Sequence, residues 1–246
     1  MNAQSRPVAI VTGGSRGIGA AVSERLAADG HAVVVNYAAR RDDADQVVER
    51  IRAAGGEALA LQADVGDPVA MRTLFDAAEA RYGGLDVLVN NAGVLDLDPI
   101  ADYPDDRFDR LVAINLKGSF NGMREAARRL RGGGRIINFS SSVVPLRLET
   151  YGPYAATKAA VEAMTTVLSR ELRGRSITVN AVAPGPTATD LFLEGKSPDL
   201  IERMAKMNPL ERLGTPADIA AVVSFLAGPD SGWINGQVVR ANGGMA

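Results

Sequence analysis

Cysteine is absent from this 246-residue chain. Disulfides and thiol chemistry are therefore excluded. There is one histidine, His31. A chain with a single imidazole cannot build a histidine-rich metal centre, and no metal is expected. His31 stands where a helix is predicted to meet a strand, with no chemical role assigned. No apolar run approaches the ~18 residues of a membrane span. The stretch before Pro7 shows no charged-then-apolar leader pattern. The formal net charge of −2 provides no long-range attraction for nucleic acid or an anionic membrane. A soluble, cytoplasmic protein without nucleic-acid or membrane partners is the expectation. Lysine is also scarce: Lys117, Lys158, Lys196 and Lys206 are the only four among 27 basic residues.

What remains is ordinary globular material, 46% hydrophobic and 23% charged, long enough to bury a large core. Short β-branched runs alternate with amphipathic ones. Strands are predicted at 8–12, 32–36, 58–62, 87–90, 135–139, 177–182 and 237–240, with helices at 17–29, 42–54, 105–130 and 153–173. Asp67-Pro68 opens a further helix, with a capping side chain followed by proline at the first position. Strands this apolar, separated by helices, predict an α/β fold: a doubly wound parallel sheet covered on both faces. No linker or repeat interrupts residues 1–246, so a single domain is expected. Residues 184–216 break the rhythm with five prolines and the isolated apolar Leu191, Phe192 and Leu193. An insertion at the carboxyl end of a strand lies where such sheets bind ligands, so 186–212 reads as a substrate lid.

Thr12–Gly19 places glycines 13, 14, 17 and 19 between the first strand and first helix. Glycine lets the backbone approach a pyrophosphate, and the helix N-terminus supplies N–H groups and a positive dipole end. The strand–loop–helix context points to a dinucleotide, and the missing Gly-Lys-Ser/Thr argues against a P-loop nucleotidase. After the second strand the chain reads Val35-Asn36-Tyr37-Ala38, without the acid that holds an NAD ribose. Arg16 projects from the loop, and Arg40 and Arg41 follow. Arginine can pair with a 2′-phosphate, so NADP(H) is favoured over NAD(H), with Arg16 the foremost candidate.

Tyr154 and Lys158 stand four residues apart, and none of the other tyrosines has lysine at that spacing. On a helix the two share one face. A cation beside the phenol is expected to lower its pKa toward working pH, as a general acid requires.

These motifs together resemble the short-chain dehydrogenase/reductase family over nearly the whole chain, from Thr12 to Gly244. The resemblance rests on Thr12–Gly19, Asp64-Val65, Asn90-Asn91-Ala92-Gly93, Asn115, Ser141, Tyr154, Lys158, Pro184-Gly185 and the closing Trp233–Gly244 segment. It implies a Rossmann-type sheet of about seven strands and a homotetramer. It implies that Tyr154 protonates a ketone oxygen as hydride arrives from the nicotinamide. Lys158 would bond the nicotinamide ribose and depress the tyrosine pKa. Ser141 would bond the substrate oxygen, and Asn115 would hold a water joining Lys158 to solvent. Cofactor contacts are implied for Gly13, Ser15, Arg16, Gly17, Ile18 and Gly19, and for Asn36 and Tyr37. They are implied also for Asp64, Val65, Asn91, Ala92 and Gly93, with Asn90 lining the cleft. Pro184, Gly185, Thr187 and Thr189 would complete the cofactor site. Among Ser140, Ser141 and Ser142, the family's spacing to Tyr154 selects Ser141; Ser142 fits only with a shorter loop. Asp64 also reads as a turn or cap residue.

Leu95, Val143, Leu146, Leu148, Tyr151, Leu191 and Phe192 are the candidate substrate wall. They suit a hydrophobic carbonyl, free or linked to a carrier protein or CoA. Arg128, Arg129, Arg131, Arg173 and Arg175 would offer an acidic carrier a docking surface, although cations at helix C-termini are expected from the dipole alone. Two alternatives stand beside a ketone reductase: a dehydrogenase of a sugar or secondary alcohol, and a non-catalytic dinucleotide sensor or scaffold.

Overall fold

The computed structural model describes residues 6–246; residues 1–5, part of the stretch without a leader pattern, lie outside it. Seven strands form one sheet: β1 (Val8–Val11), β2 (Ala32–Tyr37), β3 (Glu57–Gln62), β4 (Leu85–Asn90), β5 (Leu130–Phe139), β6 (Thr178–Pro184) and β7 (Val238–Ala241). Their order is β3-β2-β1-β4-β5-β6-β7, and every pairing is parallel. The helices are α1 (Gly17–Ala28), α2 (Arg41–Ala53), α3 (Pro68–Tyr82), α4 (Asp105–Leu111), α5 (Ser119–Arg129), α6 (Val143–Leu146), α7 (Gly152–Glu171), α8 (Asp190–Leu193), α9 (Pro198–Ala205) and α10 (Pro216–Ala227).

The strands are apolar on both sides because both faces are covered. Ala9, Val11, Val33, Val35, Val87 and Val89 face α1, α2 and α10 in one core cluster. Their neighbours Val8, Ile10, Val34 and Leu88 face α3 and α5 in the other. This two-residue alternation is what a three-layer αβα fold demands of a strand. Local signals set the ends of the helices. Asp67 caps α3 by accepting from Val69 N, and Thr215 and Asp218 form a capping box on α10. Gly83 closes α3 at φ 79°, a conformation that favours glycine. Among the described residues, no helix is long and apolar enough to cross a membrane.

The helix predicted over 105–130 is not continuous. A π-helical stretch, Val112–Gly118, separates α4 from α5. Asn115 sits in it, fully buried, with its carboxamide turned onto the backbone of Val94. Inserted turns of this kind recur at functional sites. Below it, a buried polar chain joins the stretch to the sheet. Ser119 Oγ donates to Asn115 O at 2.7 Å, and Asn90 Nδ2 donates to Ser119 O at 3.3 Å and to Asn138 Oδ1 at 2.9 Å. Asn138 Nδ2 continues to Thr165 Oγ1 on α7 at 2.9 Å. Asn90, expected in the cofactor cleft, therefore points into the core. Position alone could not show this, because strand-end asparagines face either way.

Asn138→Ala removes the central member and leaves Asn90 and Thr165 each short of a buried partner. We expect a loss of about 1–3 kcal/mol, read as a lower denaturant midpoint at unchanged slope.

Candidate active site

The strand order reverses between β1 and β4, so the loops leaving their carboxyl ends part and open a crevice. Thr12 and Asn91 tie those loops together. Asn91 Nδ2 donates to Thr12 O at 2.9 Å and Gly13 O at 3.0 Å, while Thr12 Oγ1 accepts from the N–H groups of Asn91 and Ala92. The approach is close enough to require glycine. A Cβ on Gly19 would lie 2.1 Å from the Gly13 carbonyl oxygen, and Gly13 itself has φ +60°. Arg16, at the N-cap of α1, makes no side-chain bond to the first turn, so those N–H groups remain available to an anion. The result is a cavity of about 480 Å³. The residues expected to bind the cofactor line it from Gly13 to Thr189, Asn90 and Arg41 excepted, as do all the expected substrate-wall residues.

The end of the cleft beyond β2 is built for positive charge. Arg16 and Arg40 line it and Arg41 does not; Arg41 turns to Asp45 at 3.3 Å. Among the described lining residues, the carboxylates are Asp64 and Asp190, neither of them following β2. Asp64 Oδ1 accepts from Gly66 N at 2.8 Å, so its side chain makes a turn while lining the cavity. Asn36 is buried and works on the protein itself: Oδ1 accepts from Gly13 N at 3.3 Å and Nδ2 donates to Ala63 O at 3.1 Å. It holds the glycine loop on β2. The cradle, the free helix end and the two arginines fit a dinucleotide with a phosphorylated ribose.

The three serines separate cleanly. Ser140 Oγ donates to Glu162 at 2.5 Å, and Ser142 Oγ donates to Ala183 O and accepts from Asn242. Ser141 Oγ accepts from Val143 N at 3.4 Å and stands near enough to the Tyr154 phenol in the cleft to pull its pKa down. Tyr154 and Lys158 share a face of α7, with Lys158 Nζ 5.7 Å from the centre of the tyrosine ring. Lys158 is buried and donates to the Phe139 carbonyl at the end of β5 at 2.9 Å.

The expected shift of the tyrosine is reversed. Tyr154 is half-buried in the wall of the cleft. Burial pushes the phenol up to about 12, against a smaller downward pull from Ser141. Burial also pulls Lys158 down to about 8. Sequence spacing predicts a lysine that lowers the tyrosine, but desolvation of both groups outweighs their attraction. At neutral pH the pair is a protonated phenol beside an ammonium.

Asn115 does not reach the cavity. Oδ1 accepts from Val94 N at 2.8 Å and Nδ2 donates to Val94 O at 2.9 Å. It is a positioning residue for the loop after β4. The insertion after β6 is rooted by Ala188 N on Gly214 O and Gly214 N on Pro186 O, and it carries α8 and α9 over the cleft. Thr189 uses its hydroxyl to cap α8, accepting from Phe192 N at 3.3 Å. The sequence reading missed Val94, Arg110, Ile114, Asp190, Met204 and Met245, which also line the cavity. Arg110 and Ile114 were findable, being one helical turn apart just before Asn115; Met245 carries no local signal.

The proposed basic docking cluster is only partly paired with acids. Arg129 pairs with Asp76, Glu79 and Glu125, and Arg131 with Asp86. Arg175 donates to the carbonyls of Ala127 and Leu130. The acids come from α3, α5 and β4, so most of the pairing is invisible in a linear run of arginines.

A family model described as enoyl-(acyl carrier protein) reductase matches residues 13–246. A short-chain type dehydrogenase/reductase of Picea abies is 47% identical over 248 residues, covering 97% of this chain and 92% of the relative. An NADPH-dependent aldehyde reductase-like protein, chloroplastic, of Arabidopsis thaliana is 44% identical over 251 residues, with 96% and 93% covered. Among solved structures, a short chain dehydrogenase from Burkholderia cenocepacia J2315 in complex with NADP is 40% identical, covers 97% of each chain and superposes with a TM-score of 0.92.

Gly19→Ala puts a methyl group against a backbone oxygen that has no room to retreat. We expect at least a tenfold (~1.4 kcal/mol) loss of affinity for NADPH by calorimetry, with the fold retained by circular dichroism.

Proposed function

The chain is an oxidoreductase of the short-chain dehydrogenase/reductase family, and from that premise we propose that it reduces a hydrophobic ketone to a secondary alcohol with NADPH. The observation that carries this reading is the Ser141–Tyr154 hydroxyl pair, backed by buried Lys158, at the floor of an apolar-walled cleft. Bound NADPH supplies the hydride, and the protein supplies position and a proton. A carbonyl oxygen set between Ser141 Oγ and the Tyr154 hydroxyl accepts from both, so its growing negative charge is stabilised where it forms. Tyr154 passes its proton to that oxygen. A Cβ on Gly93 would lie 3.6 Å from Lys158 Nζ and 3.3 Å from Asn115 Oδ1, so Asn115 holds the loop after β4 close beside Lys158.

A phenol held near 12 stays protonated at neutral pH, the form from which a proton can pass to a carbonyl oxygen. Leu95, Val143, Leu146 and Leu148 favour an apolar carbonyl compound. With Arg129 and Arg131 paired to acids, a free or CoA-linked ketone is better supported than one presented by an acidic carrier. Residues 186–212 act as the lid, placing Leu191 and Phe192 over the substrate. Assembly as a homotetramer is supported by exposed Phe108, Phe120, Val167 and Phe225 and by Trp233 at 99% exposure; the mass in solution checks it.

Tyr154→Phe is expected to cut ketone-dependent NADPH oxidation by roughly 10²–10⁴-fold. Ser141→Ala should cost about 10²-fold, while Ser142→Ala, off the reaction path, should stay within a few-fold of wild type. The panel should hold an aryl ketone, a β-ketoester, an acetoacetyl thioester, an enoyl thioester and a sugar ketone. Turnover confined to the enoyl thioester would refute ketone reduction.

The pH profile follows from Lys158. Its charged form prevails below about 8 and is lost above it, whereas an ordinary lysine would hold its charge to 10.5. The kcat/KM for NADPH, which reports groups of the free enzyme, should fall as pH rises through about 8. Tyr154 should add no step until about 12.

A further inference from the structure

The segment 94–99, which leads from β4 toward α4, contains neither helix nor strand, yet it carries Val94 and Leu95 into the cavity wall. Few backbone bonds hold it. Asn115 clamps Val94, and Asp98 N donates to Thr150 O at 3.2 Å. The remaining restraint is one side chain on α4. Arg107 Nε donates to Asp96 Oδ2 at 2.8 Å, and Nη1 donates to Asp98 Oδ2 at 2.8 Å. Nη2 completes the fork on Asp96 Oδ1 and reaches Leu97 O at 3.4 Å. The guanidinium also lies 5.3 Å from the centre of the Tyr103 ring. These hydrogen bonds hold the Asp96 carboxyl below its ordinary range.

We propose that Arg107 is a positioning residue for substrate selection: by forking onto Asp96 and Asp98 it holds segment 94–99 on α4 and sets where Leu95 stands relative to Tyr154. This rests on the reductase reading above. The restraint extends across the cleft. Asp98 passes it to Thr150, whose left-handed backbone at φ 68° precedes Tyr151 in the other wall-forming loop. Tyr151 packs edge-on against Tyr154, with ring centres 6.4 Å apart. Ile100, just beyond the segment, crowds Gly152 at the start of α7, where a Cβ would meet its side chain at 2.9 Å. One planar, five-donor group thus orders both loops facing the reacting oxygen. Lysine, a single point charge, cannot grip two carboxylates in this way.

The test compares wild type with Arg107→Ala, Arg107→Lys and Asp98→Asn. Hydrogen exchange of 94–98 and 148–151, the affinity for NADPH by calorimetry, and kcat and KM for an aryl and a small aliphatic ketone are the readouts. Arg107→Ala should speed exchange in both loops and raise the aryl-ketone KM about tenfold or more, with a smaller change in kcat. The aryl-to-aliphatic ratio of kcat/KM should fall and NADPH affinity should hold. Arg107→Lys should recover part of each effect. Should Arg107→Ala fail to fold, Asp98→Asn, which keeps the fork on Asp96, should show the same changes at smaller size. Unchanged exchange or unchanged ketone discrimination overturns the proposal, as does a loss of NADPH affinity equal to the rise in KM. If the wild-type protein reduces no ketone, the functional reading fails by itself, and the exchange data alone uphold or overturn the restraint.

Discussion

The clasp between Thr12 and Asn91 is the contact on which the site depends. Strands β1 and β4 are neighbours, but the chain leaves them toward opposite edges of the sheet, and their loops would separate without it. Asn91 bonds two carbonyls of the glycine loop while Thr12 receives two N–H groups from the β4 loop. All four bonds are made by short side chains to backbone, so the geometry is stiff. The glycines follow from the clasp: once the two loops are drawn together, no Cβ fits between Gly13 and Gly19. Asn36 secures the same loop from β2, which places three strand ends around one anion cradle.

Burial governs the chemistry of the reacting groups. Tyr154 and Lys158 come from one helix, so their spacing is rigid, while Ser141 comes from the end of β5. Desolvation pushes the phenol and the ammonium in opposite directions, up for one and down for the other. The site therefore holds a proton on the tyrosine and stores a readily titrated lysine behind it.

Charge is distributed by a similar economy. Several arginines are paired across elements, as Arg129 is with Asp76 and Glu79 of α3. Exposed pairs such as Arg40–Asp43 contribute little to stability and yield easily to a stronger anion. Arg40 can therefore serve the cleft from within a surface ion pair. Arg107 shows the opposite use: two carboxylates and a carbonyl are gathered on one side chain, and an irregular segment acquires a fixed shape.

Much of the fold and site was legible before any coordinates. Strand alternation, the capping signals at Asp67 and Gly83, the glycine spacing and the Tyr154–Lys158 interval are local, and local rules place them. The absence of an acid after β2 is likewise a linear fact, and it pointed to the phosphorylated cofactor. What escaped the sequence depends on which groups meet across the fold. The π stretch at Asn115 arises because a buried carboxamide finds the Val94 backbone. Asn90 turns inward because Asn138 and Ser119 wait there. Arg129 and Arg131 are paired because α3, α5 and β4 supply the acids. The direction of the tyrosine shift was decided by burial, a property of the packed protein that no spacing encodes. The sequence by itself determined the order of strands and helices, the glycine spacing and the interval between Tyr154 and Lys158. Only the tertiary structure decided which of the three serines faces Tyr154, which cations remain available, and how the loop walls are held. Those outcomes rest on distance and desolvation between segments far apart in the chain, and they exist only once the chain has folded.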